Sequence, residues 1–325
     1  MKAIAQDRYG SPDVLELREF DQPVPAGKDV LVRVHAVSIN ARDWHLMRGD
    51  PYLARLAFGV RRPKVKILGT DFAGRVEAVG PDVKRLRPGD EVFGEADAAF
   101  AEYVSAPEDV LDTKPADLTF EQAAALPLAA NTALIGLRDV AQVRAGQRVL
   151  INGASGGVGT FAVQMAKAYG AEVTGVCSAR NADLVESLGA DRVIDYAKED
   201  FTRDGQRYDL VFDLVGNRSL TEFRRALTPT GTVILSGGGV SEGGSLIGPM
   251  GLIMRGQALA PFVRHKLGQL MAKPSGENLA ELRKLVECGK LVPVIDRTYG
   301  SLSEVPEAIR YMEVEHVRAK VVVTV

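Results

Sequence analysis

The chain of 325 residues is long enough for about two domains. It is 46% hydrophobic and 25% charged, with a net charge of −2, so its balance of charge gives no reason to expect nucleic-acid partners. Two cysteines, Cys177 and Cys288, are too few for a disulfide framework or a CxxC pair. We expect a cytoplasmic protein, because the start lacks the apolar core of a secretory signal and no long apolar window could span a membrane.

The first part of the chain has the pattern of a β-rich domain. Val30–Val37 and Phe72–Val79 alternate at the strand period, and the second of them ends at the turn Gly80–Asp82. From Phe120 the sequence becomes rich in Ala and Leu, which predicts helix from Glu121 to Val140. We therefore assign residues 1–123 to a first domain.

The next stretch predicts a nucleotide-binding turn. A short apolar run, Val149–Ile151, is typical of a buried parallel strand, and apolar residues at helical spacing follow from Val158 to Tyr169. Four glycines stand between or at the start of these elements, namely Gly153, Gly156, Gly157 and Gly159. A glycine turn between a strand and a helix lets the backbone N–H groups of the helix start bind a pyrophosphate, which predicts dinucleotide binding.

The following strand indicates which dinucleotide is bound. Glu172–Cys177 ends where an Asp or Glu would bind the ribose of NAD, but no carboxylate occurs before Asp183. Ser178 and Arg180 stand there instead, and the guanidinium suits a phosphate. We predict NADPH as the cofactor; the alternative is that Arg180 only begins the next helix in solvent.

Strands and helices then alternate, which predicts an α/β fold with a doubly wound parallel sheet. The predicted strands are Arg192–Asp195, Tyr208–Val215 and Gly231–Ser236, and the predicted helices are Ala182–Leu188 and Ser219–Leu227. We assign residues 124–291 to this NADPH-binding domain. The tail returns to strand, one helix (Val305–Val314) and a last strand (Lys320–Val325), so residues 292–325 are expected to complete the first domain.

One segment stands apart from this pattern. Residues 243–276 contain Arg255, Arg264, Lys266 and Lys273 but no Asp or Glu, among many apolar residues. The segment could be a mobile flap over a substrate site, a surface patch for a partner or a membrane, or an amphipathic helical insertion with its basic side chains in water.

Five stretches together resemble the medium-chain dehydrogenase/reductase superfamily, and most closely its zinc-independent quinone oxidoreductases related to zeta-crystallin. They are Val37–Trp44, Leu68–Gly74, Gly89–Gly94, Leu126–Ala133 and Gly153–Gly159. The resemblance covers nearly the whole chain. It implies a Rossmann domain, a GroES-like domain and a homodimer.

The resemblance also bears on metal. Where zinc-dependent relatives carry metal ligands, this chain has Asn40, Thr70–Asp71 and Leu128, and Asp71 with His45 could supply only two ligands. Without a Lewis acid the chemistry that remains is hydride transfer to a quinone or an α,β-unsaturated carbonyl compound. Two alternatives stay open: an enoyl-thioester reductase, and a non-catalytic NADPH-binding protein with a structural or regulatory role.

The resemblance implies the following roles. Asn40 and Thr132 contact the nicotinamide and its ribose, and Lys320 closes the pocket. The pyrophosphate is held by Ser155, Gly156, Gly157 and Val158, the 2′-phosphate by Ser178 and Arg180, and the adenine ribose lies near Tyr196. Leu214, Val215, Ser236 and Gly237 line the nicotinamide slot.

The proton donor is open between Tyr52, whose spacing from Asn40 is within one position of that in related enoyl reductases, and His45. Both could instead be structural, the tyrosine in a turn and the histidine packed beside Trp44.

The basic run Arg61–Lys66 has no interleaved aromatic residues, so we expect a solvated loop and no nucleic-acid binding.

Overall fold

The computed structural model describes residues 1–236, 244–248, 250–315 and 317–325. The strands of the chain form two main sheets, and after residue 140 strands alternate with helices. The strands are β1 (Lys2–Ala5), β2 (Glu16–Glu19), β3 (Asp29–Ile39), β4 (Asp71–Val79), β5 (Glu91–Glu95), β6 (Tyr103–Pro107), β7 (Leu111–Thr113), β8 (Arg148–Asn152), β9 (Glu172–Cys177), β10 (Arg192–Asp195), β11 (Tyr208–Asp213), β12 (Leu227–Leu235), β13 (Lys266–Gln269), β14 (Ile295–Tyr299) and β15 (Lys320–Thr324).

The helices are short, and several begin with a capping side chain. Thr119 and Ser219 each accept a hydrogen bond from the third residue of the helix that follows. The helices are α1 (Ala41–Arg48), α2 (Arg55–Phe58), α3 (Phe120–Ala124), α4 (Pro127–Leu134), α5 (Gly157–Ala168), α6 (Ala182–Ser187), α7 (Leu220–Arg225), α8 (Met250–Leu259), α9 (Gly276–Glu287) and α10 (Val305–Val314). In the described part of the chain no helix is long and apolar enough to cross a bilayer.

The first sheet combines both ends of the chain. Its strand order is β14-β15-β3-β4-β5-β7, with β6 also paired to β3. The last strand, β15, runs antiparallel to β3, so that Val321 lies opposite Ile39. Their apolar side chains pack in one core with α10 and the buried Trp44. The C-terminal strand is thereby brought to the end of β3, next to Asn40. The domain bounds given above stay a prediction.

The second sheet is parallel throughout, in the order β10-β9-β8-β11-β12-β13. This is the strand order of a doubly wound dinucleotide-binding sheet. Buried apolar residues of β8, β11 and β12, such as Ile151, Phe212 and Ile234, pack against α5 and α4. The fold class predicted from the sequence is confirmed.

Several predicted element bounds were wrong, among them the start of the strand predicted as Gly231–Ser236, which begins at Leu227. The strand from Tyr208 ends at Asp213, because the carboxylate of Asp213 accepts the N–H groups of Val215 and Gly216 and the chain turns there. Helix α7 ends before Leu227, which already begins β12. The helical run predicted for residues 121–140 is two α-helices and a π-helical turn, divided before Pro127.

The segment 243–276 adds regular structure to the second domain. It contains α8 and the strand β13, which pairs in parallel with β12 and lies at the end of the strand order. Gly243 and Pro249 lie outside the described residues. Lys266 therefore belongs to a strand, which neither a flap nor a purely helical insertion predicted.

Candidate cofactor and active site

The glycine turn between β8 and α5 is closed by its own backbone. Gly153 has a φ of +90°, and its carbonyl accepts the N–H of Gly156 at 3.1 Å. A Cβ on Gly159 would lie 2.1 Å from that same carbonyl oxygen, so the helix can approach the turn only with glycine there. Helix α5 begins at Gly157, and its N-cap, Gly156, has no side chain with which to cap it. The first N–H groups of the helix are therefore available to an anion.

The other predicted cofactor residues follow the ends of neighbouring parallel strands. Ser178 follows β9, Tyr196 follows β10, Leu214 and Val215 follow β11, and Ser236 follows β12. Because these strands are parallel, their carboxyl ends share one edge of the sheet, which is the edge where such sheets bind ligands. The geometry brings these residues to the same edge as the glycine turn.

The 2′-phosphate position lies on a short 3₁₀ turn, Ala179–Asn181, in which Arg180 is exposed. Asn181 is buried and its Nδ2 donates to Ser155 Oγ at 3.1 Å, which ties this turn to the glycine turn. Val158 lies in the first turn of α5. Gly237 lies outside the described residues.

The C-terminal tail touches the glycine turn directly. The N–H of Ala319 donates to the carbonyl of Ser155 at 2.7 Å, and Ala319 forms a parallel bridge with Gly156. Ala319 has a φ of +59°, which turns the chain into β15. The stem of Lys320 then runs past Gly157, where an added Cβ would lie 3.1 Å from Lys320 Cδ. The last strand therefore connects the two sheets at the predicted site.

Lys320, Asn40 and Asp71 form a buried polar cluster at this junction. Lys320 Nζ lies 2.5 Å from Asn40 Oδ1 and 3.5 Å from Asp71 Oδ2. Asp71 also accepts bonds from Ser38 Oγ and Asn40 Nδ2, both at 3.0 Å, and from the N–H of Leu128 at 3.1 Å. All three side chains of the cluster are at most 5% exposed. Burial raises the pKa of Asp71 and lowers the pKa of Lys320, while their mutual attraction opposes both shifts.

These bonds limit what Asn40 and Thr132 can offer a ligand. Asn40 Nδ2 donates to Asp71 and, at 3.3 Å, to the carbonyl of Ser38, so both its hydrogens are used. The hydroxyl of Thr132 donates to the carbonyl of Leu128 at 2.6 Å. Both side chains are therefore left as acceptors, which suits N–H or O–H groups on a ligand.

Two more buried carboxyl groups adjoin the cluster. Asp43 accepts from the N–H of Asn40 at 2.8 Å and from Thr70 Oγ1 at 3.0 Å, and burial raises its pKa to about 7. Glu95 accepts from Asn131 Nδ2 at 3.0 Å, and burial raises its pKa to about 8. From the sequence we considered Asp71 only as a metal ligand, and we did not identify Asp43 or Glu95. The motif Leu68–Gly74 was the available signal for Asp71.

These raised pKa values predict a stability that falls as pH rises. Above the pKa of an ordinary carboxyl group, the folded state holds protons that the unfolded chain has lost, up to about pH 7 on Asp43 and about pH 8 on Glu95. We expect the free energy of unfolding, measured by urea titration, to decline from pH 5 to pH 8, and Glu95→Gln to flatten the decline by up to roughly 1.4 kcal/mol per pH unit. The exposed Glu77→Gln should leave the slope unchanged; an equal effect of both variants would contradict this assignment.

The two candidate proton donors lie in α1 and in the turn that follows it. His45 is in α1, and its Nδ1 lies 2.7 Å from the carbonyl oxygen of Asp50. Burial lowers the pKa of His45. Tyr52 is 45% exposed in the 3₁₀ turn Tyr52–Ala54, and the guanidinium of Arg55 lies 4.6 Å from its ring centre.

The donor set around Asp71 bears on metal binding. The positions that carry zinc ligands in the zinc-dependent relatives are linked here to one another, since Asp71 bonds both Asn40 Nδ2 and the N–H of Leu128. Among the described residues no three His, Cys, Asp or Glu side chains are grouped so that they could hold a metal ion.

Two protein-family models match the chain. Residues 26–116 match the alcohol dehydrogenase GroES-like domain, and residues 188–323 match a model described as zinc-binding dehydrogenase. The mitochondrial NAD(P)H oxidoreductase RTN4IP1 of Mus musculus is 35% identical over 100% of this chain and 89% of its own length. The chloroplastic NADPH-dependent alkenal/one oxidoreductase of Arabidopsis thaliana is 33% identical over 99% of this chain and 79% of its own length.

Solved structures of quinone oxidoreductases share the fold. The enzyme from Coxiella burnetii has a TM-score of 0.87 at 35% identity, covering 100% of this chain and 99% of that one. The Escherichia coli enzyme in complex with NADPH has a TM-score of 0.84 at 26% identity, covering 100% of both chains.

The names of the curated relatives contradict one prediction. The mouse relative is named as mitochondrial and the Arabidopsis relative as chloroplastic. The cytoplasmic location predicted from the sequence is therefore wrong on this comparison. That prediction rested on composition and on the absence of a recognisable signal, neither of which identifies a compartment.

Proposed function

The chain belongs to the quinone oxidoreductases of the medium-chain dehydrogenase/reductase superfamily, and we propose that it reduces quinones and α,β-unsaturated carbonyl compounds with NADPH and without zinc. The observation that carries the proposal is the cluster of Asp71, Asn40 and Lys320. Asp71 is committed to four protein partners and Asn40 to three contacts, so neither side chain is left as a metal ligand. An acceptor that itself stabilises negative charge requires no Lewis acid.

The residues present fit NADPH. The turn at Gly156 and Gly157 leaves no Cβ between the helix start and a ligand, and its N–H groups suit a pyrophosphate. Ser178 and Arg180 offer a hydroxyl and a guanidinium to the 2′-phosphate. When bound, NADPH supplies the hydride. The chain supplies the phosphate-binding turn, and Asp71 and Lys320 hold the amide of Asn40 in one orientation, so that its oxygen accepts from the ligand.

The two sheets meet at this site, which supports the proposed division into residues 1–123 with 292–325 and residues 124–291. Ala319 and Lys320 connect the parts through the glycine turn and Asn40. Within a metal-free cleft the protein acts by orienting the two reactants and excluding water.

We assign proton donation to Tyr52. A neutral His45 must carry its proton on Nδ1, because that atom faces the carbonyl of Asp50, and its Nε2 then accepts. A phenolic hydroxyl can donate a proton to an enolate. Tyr52→Phe is expected to slow enone reduction by roughly a hundredfold and to leave quinone reduction unchanged, since a hydroquinone dianion takes protons from water. Steady-state rates on both substrates test this, and unchanged enone turnover would remove Tyr52 as the donor.

Arg180 is expected to determine the preference for NADPH. Arg180→Ala should weaken NADPH binding by roughly 2–4 kcal/mol, if one or two charge-assisted bonds are lost, and leave NADH binding unchanged. Fluorescence titration with both cofactors measures this, with the exposed Arg225→Ala as the matched control. Equal affinity of the unmutated protein for NADH and NADPH would contradict the assignment.

The function itself is tested by measuring NADPH consumption with four acceptors: a quinone, an enone, an enoyl thioester and a simple ketone. We expect turnover with the first two, unaffected by a strong zinc chelator. Turnover confined to the thioester would favour an enoyl-thioester reductase. Binding of NADPH without turnover on any acceptor, or chelator-sensitive ketone reduction, would refute the proposal.

A homodimer is part of the proposal. β13 lies at the end of the strand order of the parallel sheet, and Phe262 and Met271 are exposed on either side of it. An edge strand flanked by exposed apolar side chains is suited to pair with a second copy. Light scattering of the purified protein tests the dimer, and Phe262→Asp should shift it to monomer.

A further inference from the structure

Residues 52–66 concentrate positive charge and exposed apolar side chains on one short segment. The segment contains five basic residues and no acidic residue, whereas the whole chain has a net charge of −2. Leu56 and Val60 are 68% and 64% exposed, and Arg61 and Arg62 are exposed beside them. Exposed apolar side chains next to basic ones indicate an interaction surface, because the apolar side chains are left in contact with water.

Internal contacts hold this segment in one shape. The hydroxyl of Tyr9 donates to the carbonyl of Gly59 at 2.7 Å. Gly59 has a φ of +119°, and an added Cβ would lie 2.0 Å from the carbonyl oxygen of Arg62. The guanidinium of Arg55 lies 4.5 Å from the ring centre of Tyr9 and 4.6 Å from that of Tyr52. The outward side chains are therefore displayed by a segment with a defined conformation. Arg61–Lys66 themselves lie outside any helix or strand with their basic side chains exposed, as predicted for a solvated loop.

A second segment, residues 244–248, lies alongside and extends the apolar surface. Tyr52 N–H donates to the carbonyl of Ser245 at 2.9 Å, and Leu53 N–H donates to the carbonyl of Leu246 at 3.0 Å. Leu246 is 67% exposed. The two segments are thus adjacent, and each contributes exposed apolar side chains.

The nearby carboxylates do not neutralise this surface. Asp50 is buried and accepts the N–H of Ser245 at 3.1 Å. Asp7 and Glu16 share a groove with Arg62, and both are paired with Arg18 at 2.7 Å. Asp7 also attracts Arg62 and Lys66. Arg8 and Arg18 in the same groove balance the two carboxylates in number, so the five basic residues of 52–66 remain in excess. Positive charge therefore dominates around the exposed apolar side chains.

We propose that the face formed by residues 52–66 and 244–248, here named the basic apolar face, docks on the surface of an anionic lipid bilayer. Leu56, Val60 and Leu246 would enter the headgroup region, and the basic side chains would bind anionic headgroups. A second copy is disfavoured as the occupant, because a two-fold interface would oppose two basic faces. The proposal goes beyond the reductase activity and does not depend on it: Tyr52, to which proton donation is assigned, lies at one end of the face and is not among the side chains proposed to dock.

Flotation of the purified protein with lipid vesicles tests the proposal, in the absence of NADPH. We expect binding to vesicles of phosphatidylcholine mixed with phosphatidylglycerol, weakened by salt, and none to phosphatidylcholine alone. The double variants Arg61→Gln with Arg62→Gln and Leu56→Asp with Leu246→Asp should each weaken binding roughly tenfold or more. Val24→Asp, at an 86% exposed site elsewhere, and the exposed Arg87→Gln are the matched controls and should bind as the unmutated protein does.

Three outcomes would overturn the proposal. The first is no binding of the unmutated protein to the anionic vesicles, or equal binding to both kinds. The second is a change of oligomeric mass in the Leu56→Asp with Leu246→Asp variant, which assigns the face to a second copy. The third is lost reduction of a water-soluble quinone in these variants with vesicle binding retained, which assigns the face to the substrate site.

Discussion

Lys320→Met is expected to lower the free energy of unfolding by roughly 3–5 kcal/mol, because it leaves the carboxyl group of Asp71 buried without its cation. The replacement keeps the length and most of the volume of the side chain, so the packing past Gly157 is largely retained. The remaining carboxyl group holds a proton more readily, so the loss should grow as the pH of the urea titration is raised from 6 to 9.

A double-mutant cycle measures the interaction energy between Lys320 and Asp71 apart from their contacts with other residues. Asp71→Asn with Lys320→Met should cost less than the sum of the two single variants, since neither charge is then left alone. The exposed pair of Lys167 and Asp191, at 2.8 Å, is the matched control, and Lys167→Met should cost less than about 1 kcal/mol. Strict additivity of the two buried substitutions would show that Lys320 and Asp71 do not stabilise each other.

The parts of the fold that the sequence predicted correctly are those fixed by local pattern. The apolar run of β8, the glycines after it and the helical spacing of α5 are contiguous, so each element constrains the next. The alternation of strand and helix after residue 140 then leaves few topologies other than the doubly wound sheet. The fold class could therefore be predicted from the sequence.

The buried cluster could not be predicted, because it depends on contacts between distant parts of the chain. Lys320 reaches Asn40 only since β15 pairs with β3. The sequence suggested Lys320 as a pocket residue but gave no partner for it, and no local pattern indicates that Asp71 is enclosed by Ser38 and Leu128. The roles of the individual site residues thus stay predictions that the experiments above address.

Element bounds failed where a side chain competes with the backbone pattern. Asp213 ends β11 by binding the N–H groups of Val215 and Gly216, although the apolar run continues past it. Its carboxyl group is buried, which raises its pKa, and Asn152 Nδ2 donates to it at 2.8 Å. The turn that follows carries Leu214 and Val215 at the edge predicted to line the nicotinamide slot.

The other large effect is expected from Gly159→Ala, which should cost on the order of 3 kcal/mol of unfolding free energy and weaken NADPH binding. The new Cβ would lie 2.1 Å from the carbonyl oxygen of Gly153 and 2.8 Å from the backbone of Ala154. These neighbours are main-chain atoms that cannot rotate away, so α5 must move off the strand end. The helix start would then lose its position at the turn.

Gly156→Ala is the control, because it also replaces a glycine of the turn but at a position where a Cβ meets no clash. Its Cβ would come no closer than 3.4 Å to the Gly153 oxygen, and its φ of −81° is open to any residue. Its unfolding free energy should therefore stay within about 1 kcal/mol of the unmutated value. Urea titration and cofactor titration of both variants measure this contrast. If Gly159→Ala were as stable as Gly156→Ala, the close approach of α5 to the turn would not be what requires a glycine there.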